Sequence, residues 1–89
     1  MVFRVYLHPK AAKELARLSE DVRRRIVEAL KSLEDSPEKA GKRLKPSNFW
    51  SLRVGDYRAI YEIDKANSRV IVLFVGHRKR VYEDLTKMF

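Results

Sequence analysis

SLRVGDYRAIYEI, Ser51 to Ile63, decides the fold. Gly55-Asp56 separates two alternating runs, and glycine at the first of two central positions suits a tight type II′ hairpin. That register sets Val54 against Tyr57, Arg53 against Arg58, Leu52 against Ala59 and Ser51 against Ile60. Trp50, Leu52, Val54, Tyr57, Ala59 and Tyr61 then share one face, turned toward helices, and Arg53 and Arg58 share the other. Directly opposed Cβ atoms lie about 5 Å apart, where like charges are destabilising. Either something anionic occupies that face, or the two guanidinium groups splay into solvent or find Glu62 beside them.

Working outward, VFRVYLH at Val2 to His8 alternates Phe3, Val5 and Leu7 against Arg4, Tyr6 and His8, the period of a half-buried strand. Pro9 ends it and suits a first helical position. Ala12, Leu15, Ala16 and Leu18 fall at helical spacing. Ser19 reads as an N-cap before Glu20 and Asp21, where the helix dipole favours acids. Val22, Ile26, Ala29, Leu30 and Leu33 carry a second, longer helix to about Glu34, and Asp35-Ser36-Pro37 stops it. EKAGKRLKPSNF, Glu38 to Phe49, is a basic connector with one short turn or strand around Leu44.

Downstream of the hairpin, KANS (Lys65 to Ser68) is a turn, and RVIVLFVG (Arg69 to Gly76) is a continuous apolar run of the kind found in a central strand buried on both faces. HRKRVYEDLTKMF closes the chain with a helical turn or two. Whether Arg78 joins the face of Arg58 depends on the parity of the Lys65 to Ser68 turn, and Gly76 offers another place to bend. The order is β-α-α-β-β-β: an α+β fold in which an N-terminal strand and a helical hairpin precede three antiparallel strands in a small sheet packed on the helices. Residues 1–89 are expected to form one domain, since a chain this short has no room for a second core.

Charge narrows the function. Twenty Lys and Arg against 12 Asp and Glu give a net charge of +8, which predicts polyanionic company. Lys42, Arg43, Lys45, Arg53 and Arg58 stand against the single acid Asp56 between residues 42 and 58, and Arg78, Lys79 and Arg80 follow His77. The clustering favours a patch over scatter. Cysteine is absent, and nothing resembles a signal peptide or a membrane span, so a cytoplasmic protein without membrane contact is expected. Two isolated histidines and no Asp-x-Asp cluster argue against a metal centre, and three glycines provide no phosphate loop, so no cofactor is expected. His77, beside the basic cluster, is the right type for acid–base work near neutrality, although a lone histidine at a strand end is more often a capping residue.

LRVGDYRAIYEID followed by VIVLFVGHRKRVY, with the strand–helix–helix lead-in and its L..SP ending, resembles the RelE/ParE toxins of prokaryotic toxin–antitoxin systems over nearly the whole chain. The RelE-like branch implies a metal-independent endoribonuclease that cuts mRNA in the A site of the small ribosomal subunit. It also implies a cognate RelB-like antitoxin that restrains the toxin in a hetero-oligomer. The alternative branch, ParE, implies a toxin that poisons DNA gyrase without catalysis. Carried over by motif, the RelE roles put catalytic arginines at Arg58 and Arg78 and the late active-site tyrosine at Tyr82. Arg53 falls where such enzymes have the second of two lysines, and Ser51 departs from the first, leaving the general base unassigned. The corresponding expectation is a scissile phosphate clamped by Arg58 and Arg78, with Arg53, Lys45, Arg43 and Arg80 on RNA phosphates and His77 as a possible acid or base.

Overall fold

The hairpin forms in the register read from the sequence. In a computed structural model, which describes residues 2–44 and 47–88 except for the side chains of Asp84 and Met88, strand Phe49–Val54 pairs antiparallel with Tyr57–Asp64 through Val54–Tyr57, Arg53–Arg58, Leu52–Ala59 and Ser51–Ile60. Gly55 takes φ +61° while Asp56 stays at negative φ, the combination a type II′ turn requires and type I′ does not.

Around this hairpin the order is β1 (Arg4–Leu7), α1 (Pro9–Ala16), α2 (Glu20–Lys31), a 3-10 turn (Ser32–Glu34), α3 (Pro37–Ala40), β2 (Lys42–Leu44), β3 (Phe49–Val54), β4 (Tyr57–Asp64), β5 (Arg69–His77) and α4 (Arg78–Met88). Pro9 opens α1 behind His8, whose Nδ1 accepts from the Lys10 N–H at 3.1 Å. Ser19 precedes α2, and the first-turn acids Glu20 and Asp21 meet its positive dipole end. The tighter 3-10 turn carries this helical segment to Glu34, as the apolar spacing predicts. No helix among the described residues is long and apolar enough to cross a membrane.

Three features differ from the sequence reading. The sheet has five strands rather than an N-terminal strand and three antiparallel ones, in the order β1-β5-β4-β3-β2. β1 runs parallel to β5, whereas the short strand expected around Leu44 does form, as the edge strand β2 after the helical turn α3. The C-terminal segment is an 11-residue helix rather than a turn or two. Its sequence disguises this, because among the described side chains the core-facing stripe of α4 is Val81 and Leu85, one turn apart in a charged stretch.

Those differences put the sheet between two helical layers. Leu52, Ala59, Tyr61, Val70, Val72 and Val75 pack on Ala11, Leu15, Ile26, Leu30 and Leu33 of the helical hairpin. On the other face Ile60 and Phe74 pack on Val81 and Leu85, with Leu44, Phe49 and Leu73 at the margin. The continuous apolar run of β5 follows from burial on both sides.

A one-residue bulge sets the parity of β5. Ile60 opposes Phe74, but the next residue, Tyr61, opposes Val72, so Leu73 is extra and lies with Phe74 on the α4 face. Gly76 therefore opposes Arg58, and a Cβ placed on Gly76 would meet Val81 Cγ2 at 3.5 Å. At the far end, Tyr61 is fully buried and its hydroxyl donates to the Pro37 carbonyl at 2.6 Å. Burial pushes its pKa up to about 12, against a smaller lowering by the Gly41 backbone. Gly41 is needed there, because a Cβ would collide with that hydroxyl and lie 2.8 Å from the Ser51 carbonyl oxygen.

Candidate nucleic-acid interface

Arg53 and Arg58 oppose each other across the ladder, and their side chains take different courses. Arg58 is half-buried and curls over the hairpin tip, where Nη1 donates to the carbonyls of Gly55 and Tyr57, both at 2.9 Å. Arg53 is exposed and lines a cavity of about 230 Å³ with Val22, Arg25, Val54, Gly55, Asp56 and Tyr57. Among the described residues Glu62 forms no ion pair with either arginine.

Two more arginines reach the same tip. A Cβ placed on Gly55 would lie 3.5 Å from Arg25 Nη2, so α2 delivers a guanidinium beside the turn. The Arg78 N–H donates to the Asp56 carbonyl at 2.9 Å, which fastens the first residue of α4 to the hairpin. Arg25, Arg53, Arg58 and Arg78 thus come from four elements to one turn, and none of them makes an ion pair among the described residues. Arg25 escaped the sequence reading because it ends a run of three similar arginines. Its neighbours are spoken for: Arg23 donates to the Leu18 carbonyl at 3.2 Å and Arg24 pairs with Glu20 at 3.1 Å.

The remaining candidates divide between the two sides of the sheet. Tyr82 is 41% exposed and lies one helical turn after Arg78, so the two share a face of α4. His77 opposes Tyr57, with the rings edge to face and 5.8 Å between centroids, on the helical-hairpin side and away from Arg58. With Arg80, Glu14, Arg17, Leu18, Tyr57, Val75 and Gly76 it lines a second cavity of about 230 Å³. Arg43 opposes Trp50, also across the sheet from Arg53, and its Nε donates to the Ser47 carbonyl at 3.3 Å. Lys42, which opposes the buried Ser51, is the β2 cation on the side of Arg53 and Arg58. Lys45 lies outside the described residues.

Cations gathered at a tight turn, with an exposed tyrosine one helical turn from Arg78, can hold phosphate oxygens through their guanidinium forks. The five-stranded sheet between a helical hairpin and a C-terminal helix carries this cluster in the architecture of the RelE/ParE toxins. Residues 5–82 match the family described as ParE toxin of type II toxin–antitoxin system, parDE, and the chain belongs to that family. It is 32% identical to Toxin RelE of Mycobacterium tuberculosis over 83 residues, covering 90% of this chain and 86% of that protein. The toxin in the M. tuberculosis RelBE2 complex superposes with a TM-score of 0.79 at 29% identity, over 86% of this chain and 99% of that one. A chain of the archaeal RelE–RelB complex of Pyrococcus horikoshii gives a TM-score of 0.75 at 30% identity, over 90% and 99%.

Proposed function

We propose that this toxin is a ribosome-dependent, metal-independent endoribonuclease that cleaves mRNA in the A site and is restrained by a RelB-like antitoxin. The observation that carries the reading is the convergence of Arg53, Arg58 and Arg78 on the Gly55-Asp56 turn, with Tyr82 one helical turn further along α4. In such a reaction the ribose 2′-hydroxyl attacks its own phosphorus and the P–O5′ bond breaks. The products are a 2′,3′-cyclic phosphate and a 5′-hydroxyl. The 2′-proton leaves to a base as another proton reaches O5′.

Arg58 and Arg78 would hold the non-bridging oxygens as charge develops on the phosphorane, and Arg53 and Lys42 a flanking phosphate. Tyr82 would stack on a base or exchange a proton beside these cations. Ser51 is buried and neutral, so it supplies no base. In-line orientation would then come from the ribosome, where positioning alone can contribute several kcal/mol. Support for the antitoxin comes from the two structural relatives, both solved as toxin–antitoxin complexes.

A second reading, inhibition of DNA gyrase without catalysis, is favoured by the family match and by the neutral residue at Ser51. The deciding experiment adds purified toxin to programmed ribosomes, maps mRNA ends by primer extension, and runs Arg78→Ala beside it. Cuts in A-site codons that vanish with Arg78→Ala support the nuclease. Intact mRNA with folded, antitoxin-free toxin rejects it, and inhibited supercoiling in a gyrase assay would then support the second reading.

A further inference from the structure

The two 230 Å³ cavities beside the hairpin tip share one wall, Tyr57. On one side of that ring stand Arg25 and Arg53 with the single acid Asp56. On the other stand Arg17, Arg80 and His77 with the single acid Glu14. Glu14 is engaged with the sheet, its Oε1 accepting from the Val75 N–H at 3.4 Å. Arg17, Arg25, Arg53 and Arg80 have no acidic partner among the described residues, whereas Arg24 and Arg69 have theirs. Both cavities lie where the helical hairpin meets the sheet, beyond the Arg58–Arg78 group.

We propose that these cavities form one track for a single RNA strand, with a phosphate of the strand in each and the chain crossing Tyr57 between them. The proposal rests on the reading that RNA is this toxin's ligand, and it assigns Arg25 and Arg17, which the cleavage chemistry does not use. Alternating cationic recesses and an aromatic ring are what sequence-tolerant binding of a single strand needs. The guanidinium groups follow the backbone, and the ring offers a face or edge to a base. The track would hold RNA flanking the scissile phosphate and so fix the direction in which the strand leaves the Arg58–Arg78 site.

The test measures fluorescence anisotropy of a labelled oligouridylate on the isolated toxin across a salt series, without ribosomes, so that it reads binding whether or not A-site cleavage occurs. Arg25→Ala and Arg17→Ala are compared with Arg24→Ala, which removes the same charge from α2 at an ion-paired position outside both cavities. Each cavity variant should lower the salt slope by about 0.7 and weaken binding roughly fivefold at ~0.1 M salt, and the double variant should lower the slope by about 1.4. Effects no larger than those of Arg24→Ala would overturn the proposal. So would displacement of the RNA by polyglutamate as readily as by unlabelled oligouridylate, since the cavities would then be recognising charge rather than a phosphodiester strand.

Discussion

The Arg78 N–H donates to the Asp56 carbonyl at 2.9 Å, joining the start of α4 to the tip of the β3–β4 hairpin. The bond uses only backbone atoms, so the Arg78 side chain can be removed without undoing the docking of α4. Arg58 differs, because its own guanidinium makes the two bonds to the turn carbonyls and truncation removes them. Arg78→Ala is therefore expected to change stability by less than about 0.5 kcal/mol, and Arg58→Ala to cost about 1–2 kcal/mol. On programmed ribosomes each should lower the single-turnover cleavage rate by about 10²–10³-fold. Ribosome binding should fall far less, because a contact made in the transition state affects turnover more than affinity. Proportional losses in both would point to a binding toxin.

Tyr61 and Gly41 form a closely packed pair under α3. Gly41→Ala would drive a methyl group into the Tyr61 hydroxyl and the Ser51 carbonyl, with an expected cost of about 1–3 kcal/mol. Tyr61→Phe leaves the Pro37 carbonyl without its donor and should cost a similar amount, about 1–3 kcal/mol. Urea unfolding of both variants checks this, with an unchanged m-value showing that the loss is in the native state.

The same tyrosine gives the protein an alkaline limit. Its folded pKa of about 12 lies above the unfolded value of 10.0. Between those values the unfolded chain ionises and releases a proton that the folded chain keeps. The contribution is thus complete below pH 10 and lost as pH rises through the folded value, amounting to roughly 2–3 kcal/mol. Denaturant midpoints between pH 9 and 12 should fall for the wild type, and this part of the fall should be missing in Tyr61→Phe.

Val81 is the apolar plug between α4 and the sheet, fully buried against Gly76, Ile60 and Phe74. Val81→Ala removes two methylene-sized groups at about 0.8 kcal/mol each before any cavity cost. The loss corresponds to a fall in Tm of about 4–8 °C per kcal/mol for a chain of this size. Calorimetry should show that fall, with Tyr82→Ala, exposed on the same helix, close to wild type in stability.

Local pattern determined much of this protein. The Gly-Asp turn fixed the hairpin register and so the opposition of Arg53 and Arg58, because glycine alone relieves the positive φ that a type II′ turn imposes. Apolar spacing fixed both helices of the hairpin, and the β-branched run marked β5 as a strand covered on two faces. The family resemblance followed from those same segments. Tertiary structure alone decided the rest. The parallel pairing of β1 with β5 joins residues far apart in sequence, and no local preference encodes it. That Lys42 rather than Arg43 lies on the face of Arg53 was set by the register of the three-residue β2 on its partner β3. The side of the sheet reached by β5 was set by the extra residue at Leu73, which alternation cannot reveal in a run that is apolar throughout. That one residue brings Gly76 opposite Arg58, lets α4 cross close over it at Val81, and lands Arg78 at the hairpin tip while His77 turns to the other side.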